Sequence, residues 1–166
     1  MGAYKMKIRS IMNAFFLSSP FLRGMVELII LVASGICGLV FSWTRFSIFP
    51  VSNILGGLII ILALAFHSWT HKEHKQAHAR TRDIDTLVTS GAYAKVRHPL
   101  YLSGIILNLG IALSFGVLIT FIIALLTVIH WIVTSVKEEE MLLKQFPDAY
   151  HQYRLSVRWR MIPGIF

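Results

Sequence analysis

The stretch from Leu100 to Val136, LYLSGIILNLGIALSFGVLITFIIALLTVIHWIVTSV, decides the fold. It contains two apolar runs, roughly Leu100 to Phe115 and Val117 to Val136, with only Ser114, Phe115 and Gly116 at their junction. Because so few residues cannot form a loop, the runs predict a tight antiparallel helical hairpin. At about 1.5 Å per residue the second arm can cross a hydrocarbon core of about 30 Å, whereas the first is marginal at about 24 Å.

Two further apolar runs precede this hairpin, roughly Met25 to Trp43 and Ser52 to Trp69. Hydrophobic residues make up 55% of the 166-residue chain, charged residues 14%, and the mean hydropathy is +0.66. Soluble domains rarely reach such values. The sequence therefore predicts an all-α integral membrane protein with four transmembrane helices. We expect one domain, residues 1–166, made of an interfacial lead-in at 1–24, the first two spans at 25–69, a cytosolic loop at 70–99, the helical hairpin at 100–136 and a cytosolic, interfacial helical tail at 137–166.

The basic residues predict the orientation in the membrane. Of the 16 lysines and arginines, all except Arg45 fall before the first span, between the second and third, or after the fourth. Since basic residues are retained on the cytoplasmic face, we expect both termini and the loop from Thr70 to Pro99 in the cytosol. The net charge of +8 then reflects topology and contact with anionic membrane lipids, and does not indicate nucleic acid binding.

A dense polar cluster lies directly before the hairpin, in the stretch Gly91 to Gly104, GAYAKVRHPLYLSG. Polar groups are costly to keep desolvated at a membrane boundary, so a cluster this tight predicts a functional site there. It contains five polar or aromatic side chains within nine positions: Tyr93, Lys95, Arg97, His98 and Tyr101.

The tail carries a second group of candidate residues. Glu138 to Glu140 continue the fourth helix out of the membrane, and Phe146, Tyr150, Tyr153 and Val157 then recur at spacings of four, three and four. This periodicity predicts a helix with one aromatic face, lying on the membrane surface and ending at Pro163-Gly164. Such a helix could cover a pocket.

In these motifs the chain resembles the isoprenylcysteine carboxyl methyltransferases and the related phospholipid methyltransferases. Their shared pattern is G-P-Y, three variable residues, R-H-P-x-Y-x-G, a helical hairpin, E-E, F-G-x-x-Y-x-x-Y and a closing I-P. The last 76 residues or so carry the resemblance, and they depart from the pattern at Ala92, Ser103 and Pro147. The matching residues are Gly91, Tyr93, Arg97, His98, Pro99, Tyr101, Glu138, Glu139, Phe146, Tyr150, Tyr153, Ile162 and Pro163.

The resemblance implies S-adenosylmethionine as methyl donor, bound without a metal between the Arg97–Pro99 segment, the end of the fourth helix and the tail. A lipophilic acceptor would arrive through the bilayer. We favour the carboxylate of a prenylated cysteine, which needs no general base, over a phospholipid amine, for which His98 or a tail glutamate would be the base. The expected catalytic residues are Arg97, Arg154 and Glu139, and the expected cofactor-binding residues are Tyr93, His98, Pro99, Tyr101, Glu138, Glu139 and Tyr150.

Two other functions stay open. Membrane sterol reductases carry a similar R-H-P-x-Y stretch and use NADPH, although they are usually much longer. The basic loops could also belong to a non-catalytic subunit that holds lipids or partner proteins, with Arg97 and His98 as a headgroup anchor and Glu138 to Glu140 as a solvated helix end. Binding of S-adenosylmethionine or of NADPH would distinguish these functions.

Some polar residues admit two interpretations. His67, His71, His74 and His78 share one helical face, which we interpret as solvated or facing headgroups, with a metal site as the alternative. Within the apolar runs, Glu27 could reach the cytosolic surface, while Asn108 and His130 could face the acceptor or bond across helices.

Overall fold

The computed structural model describes residues 19–46, 48, 50–73 and 81–166. Across these residues it contains five α-helices, two short 3₁₀ turns and no strand. The helices are α1 (Pro20–Val40), α2 (Val51–Glu73), α3 (Pro99–Phe115), α4 (Leu118–Gln145) and α5 (Pro147–Ser156), and the 3₁₀ turns are Thr81–Asp83 and Gly91–Ala94. The predicted all-helical fold is confirmed for this part of the chain.

Three helices, α1, α2 and α4, are long and apolar enough to cross a membrane. Their outer faces expose large aliphatic side chains, for example Ile29, Leu62 and Leu126. Since such surfaces are unfavourable in water, they indicate contact with lipid. The fourth apolar helix, α3, has 17 residues and a length of about 26 Å, somewhat short of a full span. The chain is an integral membrane protein.

The first helix begins earlier than the sequence indicates. Ser19 caps it by accepting a hydrogen bond from the backbone N–H of Leu22 at 3.3 Å, and Pro20 occupies the first turn, where its missing N–H costs nothing. Residues 20–24 of the expected lead-in at 1–24 therefore belong to α1, while the beginning of the span at Met25 stays a prediction. Residues 1–18 of the predicted lead-in lie outside the described residues.

At their C-terminal ends, α2 and α4 extend beyond the apolar stretches from which they were predicted. α2 continues past Trp69 to Glu73, so the predicted loop at 70–99 begins with one more helical turn. α4 has 28 residues and continues past Val136 to Gln145, because its last turns are held by contacts with the loop and the tail. This extension carries Glu138 and Glu139 into the candidate site.

The junction of α3 and α4 consists of Gly116 and Val117 alone. Gly116 adopts the left-handed conformation at φ 67°, which glycine reaches without strain, and its N–H donates to the carbonyl of Ala112. The two helices then run antiparallel: Asn108 of α3 bonds to Thr127 of α4, and further from the junction the ring of Tyr101 lies 4.6 Å from that of Trp131.

Close packing of backbones joins α2 to α3, the most extensive contact among the helices that the structure describes. A Cβ atom at Gly56 would lie 2.7 Å from the carbonyl oxygen of Gly110, so only glycine fits there. Nearby, the side-chain amide of Asn53 donates to the carbonyl of Ser114 at 2.5 Å. α1 packs on α3 and α4 through Leu31, which is fully buried.

Candidate functional site

Three chain segments meet where α3 begins and α4 ends. The first is the 3₁₀ turn Gly91–Ala94, which leads to Arg97 and His98 and then to Pro99, the buried first residue of α3. The second is the last part of α4, with Glu138 and Glu139. The third is the chain after α5, which returns along the first: the N–H groups of Arg97 and His98 donate to the carbonyls of residues 159 and 160 at 2.9 and 2.8 Å.

The path of this tail differs from the prediction. α5 ends at Ser156, so the expectation that its helix runs to Pro163 is wrong. The cause is Arg97, whose Nη1 donates to the carbonyls of Val157 and Arg158, both at 2.8 Å. Carbonyl groups held by a guanidinium at the end of a helix are satisfied without further helical turns. The tail is thereby tied to the polar cluster before α3.

The carboxylate of Glu139 joins all three segments. It accepts hydrogen bonds from Nε of Arg97 at 2.9 Å and from Nε and Nη2 of Arg160 at 2.8 and 3.1 Å, and it lies 3.2 Å from Nε2 of His98. Its side chain is only 4% exposed. These hydrogen bonds raise the pKa of Arg160 and keep the guanidinium charged. Glu139 is thus an organising carboxylate within the protein, whereas its neighbour Glu140 is exposed.

His98 lies between two carboxylates. Its Nδ1 is 3.4 Å from Oε2 of Glu138, and its Nε2 faces Glu139. Burial alone would lower the pKa of His98, but the hydrogen bonds and negative charges of the two glutamates outweigh it, and the pKa is raised. With an acceptor at each ring nitrogen, the doubly protonated form fits best. The raised pKa favours the charged form of His98, which contributes a positive charge and has no free ring nitrogen to act as a general base.

Glu138 reaches the same region from the next position of α4. Its Oε1 accepts a hydrogen bond from the hydroxyl of Thr81 at 3.1 Å, and the hydroxyl of Tyr101 also bonds to it. The Tyr101 ring stacks on His98 with a centroid distance of 5.3 Å and an interplanar angle of 12°. Glu138 therefore makes fewer charged contacts than Glu139, and unlike Glu139 it lines the cavity described below.

Two tyrosines of α5 close the site from the other side. The Tyr153 hydroxyl donates to the backbone carbonyl of Tyr93 at 2.7 Å. The Tyr150 side chain is 1% exposed, yet its hydroxyl has no hydrogen-bond partner among the described residues. Burial raises the pKa of all three phenols, so each stays protonated at neutral pH. A buried hydroxyl without a partner costs free energy, which a bound polar ligand would recover.

These side chains surround a small cavity, in which the space open to a water-sized molecule is about 60 Å³. Small-molecule sites usually have volumes of roughly 300 to 1,000 Å³, so a ligand of that size requires the side chains around this cavity to move apart. Apolar lining comes from Ile84, Leu87 and Leu142, and charged lining comes from Arg97, His98 and Glu138. Four tyrosines complete the wall: Tyr93, Tyr101, Tyr150 and Tyr153.

Most of the residues expected from sequence lie together here. Six line the cavity: Tyr93, Arg97, His98, Tyr101, Glu138 and Tyr150. Pro99 and Glu139 lie behind this lining, where Pro99 begins α3 and Glu139 holds Arg97 and His98. Arg154 is exposed on α5 and does not contribute to the lining.

Several contributing residues were missed by the sequence analysis. Arg160, which the sequence analysis did not single out, binds Glu139. Pro20 and Ile84 line the cavity, and Thr81 bonds to Glu138. No local pattern marks these positions, because their roles depend on contacts between segments far apart in the chain.

The histidine face of α2 is described only in part. Nδ1 of His67 lies 3.0 Å from the hydroxyl of Ser103 on α3, and His71 is half-buried. His74 and His78 lie outside the described residues. Within the described part of the chain, no group of three or more histidine, cysteine, aspartate or glutamate side chains could hold a metal ion.

Comparison with known proteins gives one family. The sequence profile of the phospholipid methyltransferases matches residues 51–149, which include α2, α3, α4, the polar cluster before α3 and both glutamates of the site. The match leaves out α1, Tyr150 and the tail after it. No curated protein matches the chain.

Proposed function

Because the chain belongs to the phospholipid methyltransferase family, a family of membrane methyltransferases, we propose that it transfers a methyl group from S-adenosylmethionine to a lipid acceptor. The observation that carries this proposal is the cavity at the start of α3. It combines an apolar side, a wall of tyrosines, the carboxylate of Glu138 and the buried Tyr150 hydroxyl, which has no partner among the described residues.

The lining residues fit this cofactor group by group. Ile84, Leu87 and Leu142 offer an apolar surface for an adenine ring. Glu138 and the Tyr150 hydroxyl are suited to ribose or amino groups, since a carboxylate accepts and a phenol both accepts and donates hydrogen bonds. Aromatic faces and a carboxylate also stabilise a neighbouring positive charge, as on a sulfonium.

S-adenosylmethionine supplies an electrophilic methyl group for an in-line displacement, so the protein has mainly to orient the reactants and exclude water. In our proposal the α5 tyrosines provide the cover over the cavity. Glu139 keeps Arg97 and His98 in place from behind, and Arg97 supplies positive charge to the wall. We propose Arg97 and not the exposed Arg154 as the cation of this site.

We propose four membrane-crossing helices, with α3 as the short one and the cavity on the cytosolic side. The strong bias of basic residues supports this orientation. Arg45 is the single exception. Its backbone forms an isolated antiparallel bridge with that of Val117 at the junction of α3 and α4, at the end opposite the site. A charged cofactor would then enter from the cytosol and an apolar acceptor from the bilayer.

Two acceptors are each favoured by one observation. The carboxylate of a prenylated cysteine needs a cation and no base, which suits a site that contains Arg97 and a His98 whose raised pKa favours its charged form. A phospholipid amine must lose a proton, and Glu138, which lines the cavity, is placed to receive it; the family match also favours this acceptor. We favour the carboxylate and retain the amine as the second candidate.

A single assay separates the two acceptors. The purified protein, in lipid nanodiscs, receives S-adenosylmethionine labelled in its methyl group, with S-farnesylcysteine or with phosphatidylethanolamine. A methyl ester releases labelled methanol in alkali, whereas a methylated amine does not. Glu138→Gln should abolish amine methylation, because the base is lost, and should leave part of the ester formation. No label in either acceptor class would refute the proposed function.

A further inference from the structure

A buried polar cluster lies deeper along α1, outside the cavity lining, and is centred on Glu27. The Oε1 atom of Glu27 lies 2.5 Å from Nδ1 of His130, and Oε2 accepts hydrogen bonds from Nε1 of Trp131 at 2.8 Å and Nδ2 of Asn108 at 2.9 Å. Its side chain is 8% exposed, so Glu27 bonds across helices and does not reach the membrane surface. A carboxylate at this depth is costly unless such partners surround it.

This cluster is connected to the cavity by a ladder of four aromatic rings. The ring centroids of His130 and Trp131 are 5.2 Å apart, those of Trp131 and Tyr101 are 4.6 Å apart, and those of Tyr101 and His98 are 5.3 Å apart. Carboxylates hold both ends, since Glu27 bonds to the first two rings and the glutamates of α4 bond to His98.

A buried cation fixes the middle of this ladder. The guanidinium of Arg23 lies 5.2 Å from the centre of the Trp131 ring and 5.8 Å from that of Tyr101, distances suited to cation–π attraction. It also donates hydrogen bonds to the hydroxyls of Thr134 and Tyr101, at 3.1 and 3.4 Å. The rings are therefore held in one arrangement by charged groups of α1.

We propose that Glu27 is a positioning residue of the cofactor site: by holding Trp131 it fixes Tyr101, and through it His98, where they line the cavity. An indole has a single N–H donor, so the bond to Glu27 sets the rotation of the Trp131 ring. The inference rests on the proposed function, because it concerns the cavity in which we propose that S-adenosylmethionine binds.

The test uses the full-length protein and two variants that break the same link. Glu27→Met removes the acceptor at nearly constant side-chain length, and Trp131→Phe keeps an aromatic ring but loses the N–H. The matched control is Thr127→Val, which removes the hydroxyl that bonds to Asn108 in the same layer without touching the ladder. One measurement needs no cofactor: the reaction of His98 with diethyl pyrocarbonate, followed by mass spectrometry of its peptide. The other is the dissociation constant of S-adenosylmethionine.

We expect both ladder variants to raise the reactivity of His98 and to weaken S-adenosylmethionine binding by about twofold to thirtyfold. The double variant should bind S-adenosylmethionine as tightly as the single variant with the lower affinity, because both changes break the same link. Thr127→Val should change neither quantity, even if it lowers stability.

Unchanged His98 reactivity in both ladder variants would overturn the inference, as would effects that Thr127→Val reproduces. In either case Glu27 only joins helices. If the wild-type protein binds no S-adenosylmethionine, the proposed function fails, and the labelling of His98 still decides whether Glu27 positions the ladder.

Discussion

Replacing Glu139 by glutamine should strongly destabilise the protein. The carboxylate is almost fully buried and receives hydrogen bonds from Arg97 and Arg160, with His98 alongside. Without it, three positive groups face one another in a buried site. Breaking a buried ion pair by removing one partner costs about 3 to 5 kcal/mol. For a chain of this size the melting temperature should fall by on the order of 10 °C.

Cys37 makes this measurement convenient, because it is the single cysteine and is half-buried in α1. A thiol-reactive fluorescent dye therefore reports unfolding in detergent. Glu140→Gln is the matched control, since it makes the same chemical change one residue away on the exposed face and should shift stability by less than about 0.5 kcal/mol.

A second variant tests the cause of the destabilisation. Adding Arg160→Gln to Glu139→Gln removes one of the stranded cations, so part of the lost stability should return. Equal melting temperatures for Glu139→Gln and Glu140→Gln would refute the view that this carboxylate holds the three segments together.

Three further outcomes are expected. Gly56→Ala should cost about 1 to 3 kcal/mol of stability in thermal unfolding, because its Cβ would meet the backbone of α3. Gly57→Ala is the control and should cause no loss from overpacking, since no atom lies within 4 Å of its Cβ. Equal losses would contradict the packing described. Because the pKa of His98 is raised in the folded protein, its charged form adds stability that is complete below pH 6.5 and is lost as the pH rises through the raised value. From pH 6 upward, the melting temperature of the wild type should therefore fall more than that of His98→Asn. Parallel curves would show that His98 is not charged. Tyr150→Phe should weaken S-adenosylmethionine binding by about twofold to tenfold in calorimetry while the ligand-free protein becomes somewhat more stable, because a buried hydroxyl without a partner is removed. Tyr153→Phe should lose a hydrogen bond and about 1 kcal/mol of stability. The reverse pattern would exclude the Tyr150 hydroxyl from the site.

The helices and the place of the candidate site could be predicted from sequence because both depend on local patterns. Long apolar runs require helices in a membrane, and the short junction at Gly116 brings the runs on either side of it together. The motifs around Arg97 and Glu139 likewise indicated a site, and the family match at residues 51–149 confirms the resemblance that they carry.

The remaining features depend on pairs of residues that are far apart in the chain. The aromatic periodicity of the tail continues to Val157, but Arg97 ends the helix there by binding carbonyl groups. Arg23 reads as a basic residue before a span, whereas partners on α3 and α4 draw it into the protein. Arg154 and Arg160 both lie in a basic tail, and only the folded path of the chain distinguishes them. Sequence patterns contain no signal for such pairings.

Binding of labelled S-adenosylmethionine to the purified wild-type protein, with labelled NADPH measured in parallel, tests the central claim most directly. We predict saturable binding of S-adenosylmethionine, one molecule per chain, with weaker binding in Tyr150→Phe and no binding of NADPH. Saturable NADPH binding without S-adenosylmethionine binding would favour a reductase, and binding of neither would contradict a cofactor site in this cavity.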